Sequence, residues 1–234
     1  MSFLFTKKLL KPIKIIVLID YRKDMWYNMD KKKNIGYKLF KVKASQPGKL
    51  FPLYVYANEE TPIGEWVNAK LGEIASDGKH VKSKLGELAL RGGWHLNENV
   101  PHVTHIGRKD ENGNIAYLFE DQVWCEVEYS DNIDYQPLVN NNGKNKQGKI
   151  IHKNACMREV PVDGFYRYKT NSQQKEPWII AGSIKINRVL SDAEVYDICK
   201  VKGYEPLPRY GGEFDAAKYG FEGIISEYKD SIAG

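Results

Sequence analysis

Cysteine is scarce. Cys125, Cys156 and Cys199 are the only three, widely spaced and without a Cys-x-x-Cys. That argues against a disulfide framework or a structural zinc cage, and it suits a reducing cytoplasm. Three small, semi-buried thiols are expected. No run of about 18 apolar residues occurs, so no membrane span is expected. The opening "MSFLFTKKLLKPIKIIVLID" is apolar in part, but Lys7, Lys8, Lys11 and Lys14 interrupt it. No small-residue cleavage site follows, so no secretion signal is expected. A Gly-x-x-x-x-Gly-Lys-Ser/Thr loop, a Gly-x-Gly-x-x-Gly turn and a Gly-x-Ser-x-Gly elbow are all missing. Kinase-type, Rossmann-type dehydrogenase and elbow-hydrolase chemistries therefore lose their usual signatures.

What is present is enough for a packed core. The chain has 234 residues, of which 42% are hydrophobic and 12% aromatic. Charge is unevenly spread. Residues 1–50 hold 13 Lys and Arg against 3 Asp and Glu, a net of +10, while the remainder nets −5. A basic front end on a slightly acidic body predicts contact with nucleic acid or an acidic partner. A lysine-rich edge strand that resists aggregation would read the same way.

The pattern predicts an α+β fold: a strongly bent antiparallel or mixed β-sheet with few short helices. Residues 1–46 form a basic segment belonging to the same fold, 47–203 the main domain, and 204–234 a wrapping tail. Strands are expected at "IKIIVLID" (around 14–20), "GYKLFKVKA" (36–44) and "KLFPLYVYA" (49–57). "TPIGEWVNAKLG" (61–72) reads as a short helix, with Thr61 as N-cap and Pro62 at the first helical position. In "QVWCEVEY" (122–129), Val123, Cys125, Val127 and Tyr129 share one face, and Gln122, Trp124, Glu126 and Glu128 the other. "NNNGKNKQGK" (140–149) reads as an exposed loop. "GFYRYKT" and "EPWIIAGSIKINRVL" read as paired strands. A second helix follows. Ser191 and Glu194 form a capping box, Leu190 and Val195 a hydrophobic staple, and Gly203 lies at the C-terminal end.

Three of the five histidines fall in "RGGWHLNENVPHVTHIG", residues 91–107. His95, His102 and His105 are His-x6-His-x2-His, but Pro101 and the Val-Thr-His pattern favour extended chain. There, His102 and His105 face opposite ways, so no metal is expected. Acid–base work needs no metal. Arg91, His95, His105 and Arg108 are candidates on one side. "YRYKT" supplies Tyr166, Tyr168 and Thr170 on one strand face and Arg167 and Lys169 on the other. Rings stack bases and cations hold phosphate. A half-exposed tyrosine ladder with solvated cations is the plainer reading.

At "GELALRGGWH", "HIG", "QVWCEVEY", "GFYRYKTN" and "WIIAGSIKINRVLSDAEV" the chain resembles an uncharacterised domain encoded by bacterial phages and also found in large multi-domain phage proteins. The resemblance spans roughly residues 50–200 and implies a phage context. The chain is also similar, in its order of elements, to compact ADP-ribosyltransferase-like domains. "PLYVYANEETPIGEWVNAK" would be their early strand and helix, "GGWH" their Gly-aromatic stretch, and "QVWCEVEY" and "EPWIIAGSIKI" their later strands. That resemblance implies NAD as cofactor, with Trp94 stacking the nicotinamide and Glu126 or Glu128 near the ribose. "LYVYAN" lacks the family's His or Arg, so His95 or Arg91 would substitute.

Three functions are therefore expected as alternatives. One is an ADP-ribosyltransferase-like enzyme acting on a host target. Its cleft would hold Arg91, Trp94, His95, Tyr166, Tyr168 and a glutamate of "CEVE". The second is a metal-independent nuclease, with His95 or His105 as base and Arg91, Arg167 or Lys169 stabilising the phosphorane. The third is a non-catalytic virion or host-binding protein, docking through its basic segment. The expected location is the bacterial host cytoplasm or the virion.

Overall fold

The computed structural model describes residues 34–84, 86–104, 107–109, 111–113, 115–150, 155–170 and 174–223. The basic residues before Asn34, with the strand expected at "IKIIVLID", lie outside the described residues, as does His105. The described part belongs to one compact unit beginning at Asn34.

The described residues form twelve strands and three helices in order. They are β1 (Ile35–Lys41), β2 (Trp66–Asn68), β3 (His80–Ser83), β4 (Gly86–Ala89), β5 (Trp94–Asn97), β6 (Arg108–Lys109) and β7 (Ile115–Ala116). Then come β8 (Gln122–Tyr129), β9 (Ile133–Asp134), α1 (Gln136–Asn142), β10 (Gly164–Tyr168), β11 (Trp178–Ala181), β12 (Ser183–Val189), α2 (Asp192–Val201) and α3 (Ala216–Tyr219). Eight strands make one sheet in the order β2-β12-β8-β1-β5-β11-β10-β9, and β3–β4 and β6–β7 are separate hairpins. The β9–β10 pair is parallel and the other ladders are antiparallel, so the sheet is mixed. The fold is α+β and dominated by sheet.

The sheet is covered on both faces. On one, Phe40, Val123, Cys125, Val127, Leu96, Ile179 and Ile184 pack with Tyr219 and Phe221 from the C-terminal segment. Each fully buried side chain of this size contributes roughly 1.5–3 kcal/mol. On the other, Leu39, Trp124 and Leu190 pack with Val195 and Cys199 of α2. Next to them, Tyr166 and Ile180 pack with Val139 of α1 and Val160. The alternation in β8 holds as read, but Trp124 on the second face is only 5% exposed because α2 lies over it.

α2 forms where the capping box announces it. The Ser191 hydroxyl accepts from Glu194 N, and the Glu194 carboxylate accepts from Ser191 N at 2.9 Å. Glu194 is itself buried, and its other oxygen pairs with Arg188 of β12. α1 occupies 136–142, so the first residues of the expected 140–149 loop are helical.

Two local expectations fail. The helix over 61–72 does not form. Gly64 adopts φ 84° and donates its N–H to Ile186 O at 2.8 Å, which lays the segment along β12 and leaves Trp66–Asn68 as an edge strand. The strand over 49–57 shrinks to a bridge between Phe51 and Lys41, because residues 54–58 turn away.

β11 and β12 are joined by Gly182 alone, yet β5, β1 and β8 stand between them in the sheet. A Cβ at Gly182 would lie 1.8 Å from Pro161 O, so no larger residue fits this corner.

Candidate functional site

The site arises where two neighbouring strands part. β1 pairs with β8 along all seven residues, and β5 pairs with β11 along all four. β1 and β5 meet only at Tyr37 and Asn97. Beyond that bridge the Lys38 side chain reaches across, and its ammonium donates to the His95 carbonyl at 3.1 Å. A cavity of about 490 Å³ opens here. Tyr37, Lys38 and Leu39 of β1 line it with Trp94 and His95 of β5, Trp124, Trp178 and Arg91. Segments 52–56 and 67–72 complete the wall. That wall is tied in place: Tyr56, at φ 53°, donates its hydroxyl to Leu71 O at 2.8 Å. Glu59 and Glu60 also line the cavity, ion-paired to Lys70 and Lys49.

Lys38 is the electrostatic centre. Its ammonium lies 5.1 Å from the Trp94 ring and 5.5 Å from the Phe40 ring. Among the described residues no carboxylate pairs with it. Burial lowers its pKa from 10.5 to about 8. Cys125, opposite Lys38 on β8, is a thiol whose pKa burial pushes far up, so it does not supply the missing negative charge.

The expected residues scatter by strand geometry. Trp94 and His95 are adjacent, and so point to opposite sheet faces. Trp94 packs against the first core and donates Nε1–H to Val67 O at 2.9 Å. His95 stands edge-on to Trp178, ring centroids 6.2 Å apart. Its Nδ1 lies 3.2 Å from Gly93 O, to which it donates. Both line the cavity because the strand parting exposes both faces there. Arg91 also lines it, with its guanidinium 4.5 Å from the centre of the Tyr168 ring.

Tyr166 is core. It is fully buried, its hydroxyl accepts from Met157 N at 3.4 Å, and burial raises its pKa strongly. Glu126 and Glu128 also lie away from the cavity lining, as rungs of the β8–β12 ladder. Glu126 accepts from Arg188 at 3.2 Å, and Glu128 pairs with Lys185 at 3.2 Å. Strand alternation identifies the face of these glutamates, and the neighbouring strand decides what they meet. Arg167, on the face opposite Tyr166 and Tyr168, is held bidentately by Glu98 at 2.6 and 3.0 Å.

His102 sits apart from His95, its ring 5.2 Å from that of Tyr204, and burial lowers its pKa. Among the described residues, Asp77, His80 and Glu87 of the β3–β4 hairpin bring ligand-type atoms within 4.8 Å of one another. Asp77 and Glu87 are exposed, and Asp77 is already spent on His80 and two backbone N–H groups.

Lys38 was the residue that sequence reading passed over. Its signal was there: in "YKLFKVK" the alternation puts Lys38 on the same face as Phe40 and Val42, a cation in a core stripe. No protein-family model, curated protein or solved structure matches the chain.

Proposed function

We propose that the parted strands form a binding cleft for NAD, and that the protein is a phage-encoded accessory enzyme of ADP-ribosyltransferase type acting on a host target. The observation that supports this is the meeting of Arg91, Trp94, His95 and the Lys38 ammonium in one cavity walled by aromatic rings. Its volume, about 490 Å³, lies in the range of small-molecule sites, roughly 300–1,000 Å³. Buried cations need counter-charge, and a pyrophosphate brings it. Indole faces stack a nicotinamide or adenine ring.

On this reading, the bond from the ribose to nicotinamide breaks, its electrons leave with the nicotinamide, a carboxylate steadies the positive charge left on the ribose, and a nucleophile of the host target bonds to that ribose carbon as it gives up its proton. Glu59 and Glu60 take that role in place of Glu126 and Glu128, because they line the cavity. A strongly bent sheet, which the one-residue link at Gly182 favours, brings the cleft walls round the ligand. The basic first segment docks on nucleic acid or an acidic host protein, in the host cytoplasm or packaged in the virion.

Calorimetry with NAD, followed by assay of released nicotinamide in host extract, tests this. Saturable heat that Trp94→Ala removes, with nicotinamide release that Glu60→Gln or Glu59→Gln abolishes, is the expected result. Heat without release reduces the protein to an NAD-binding module. Neither heat nor release defeats the proposal.

A further inference from the structure

We propose that Lys38 is a carbonyl-capturing amine, and that the cleft condenses it with an aldehyde carried on an aromatic or apolar body. This goes beyond NAD binding and does not depend on it. Three observations place the amine for that chemistry. Its nitrogen is fixed by one hydrogen bond, to His95 O at 3.1 Å, and lies beside the Trp94 ring at 5.1 Å. The residue lines a cavity whose other walls include Tyr37, Trp94, Trp124 and Trp178, surfaces that take a flat apolar body. No described carboxylate holds the amine as a salt, and its ionisable neighbour Cys125 stays a neutral thiol.

The same surroundings supply the nucleophile. With a pKa of about 8, half of the Lys38 population is neutral amine at pH 8. A solvated lysine holds roughly one part in several hundred neutral at that pH. Desolvation of a lysine in an apolar pocket is a general route to such activation.

The step balances without an oxidant or reductant. The nitrogen lone pair adds to the carbonyl carbon, and the π electrons move to the oxygen, which takes a proton. The nitrogen loses a proton to water. The hydroxyl then takes a proton and leaves as water while the nitrogen lone pair forms the C=N bond, and the nitrogen gives up its second proton. Amine and aldehyde go to imine and water.

The test uses the full-length chain, native, at pH 8, with 2-naphthaldehyde at low molar excess and cyanoborohydride to trap the imine. Intact mass and peptide mapping read the result. The expected outcome is one naphthylmethyl group on Lys38, formed about tenfold faster than on exposed lysines. That factor is the gain in neutral amine, offset in part by its lower intrinsic nucleophilicity. Lys38→Arg loses the fast label. Denaturing the parent chain with urea before labelling abolishes the preference, a control that needs no folded variant. Label spread over exposed lysines with Lys38 slow overturns the proposal, as does a preference that survives urea. A chain that binds NAD but shows no selective label defeats this inference alone, and selective label without NAD binding defeats only the NAD reading.

Discussion

Lys38→Met is expected to make the folded chain more stable at neutral pH, although it removes a hydrogen bond. The argument is linkage. The Lys38 pKa falls from 10.5 to about 8 on folding, chiefly through burial. Between those two values the unfolded chain holds a proton that the folded chain has released, so stability rises with pH across that window. Below about pH 8 the folded state carries a partly buried ammonium with no carboxylate partner among the described residues. That difference corresponds to a penalty of roughly 3 kcal/mol at pH 7. Methionine keeps an unbranched side chain one atom shorter than lysine, and its thioether packs well against the Trp94 ring. It also abandons the bond to His95 O, worth about 1 kcal/mol. The net gain at pH 7 is therefore about 1–2 kcal/mol. It should shrink steadily above pH 8 and vanish or reverse near pH 10.5. Urea unfolding followed by tryptophan fluorescence, for parent and variant at pH 7, 8, 9 and 10, reads the difference directly and cancels the titration of other lysines. A variant less stable at pH 7, or a parent–variant gap that ignores pH, would refute the reasoning.

Other positions give sharper structural outcomes. Gly182→Ala sets a methyl group against Pro161 O, 1.8 Å away by ideal geometry, so chemical denaturation should show a loss of about 3 kcal/mol or more, or no folded protein. Glu194→Ala removes both the α2 capping box and a buried partner of Arg188, for an expected loss of about 3 kcal/mol. Glu194→Gln keeps an acceptor for Ser191 N and should cost visibly less in the same unfolding assay, whereas equal losses would mean that the charge dominates.

Much of the frame was legible locally. The capping box, the staple and the alternating β8 stripe each depend on residues close together in the chain. Where neighbours from far along the chain decide, local reading fails. "TPIGEWVNAKLG" carries helix-start chemistry, but Gly64 bonds to Ile186 and the segment becomes sheet edge. Of the 91–107 stretch, Arg91, Trp94 and His95 line the cavity. Period two already implied that Trp94 and His95 oppose each other across the sheet. Only the single β1–β5 bridge explains how one cavity meets both. Glu126 and Glu128 looked like free acids because their partners, Arg188 and Lys185, lie about sixty positions away. Tyr166 looked like a stacking ring, but Val139, Val160 and Ile180 enclose it.

An NMR titration of the lysine side-chain nitrogens, with the Lys38 resonance assigned by its loss in Lys38→Met, bears most directly on the cleft. A resonance with its midpoint near pH 8 is the expected result, because the parted strands hold that amine among rings, with no carboxylate beside it among the described residues. A midpoint above pH 10 would put Lys38 in water or beside an acid, and the cleft as described would not exist.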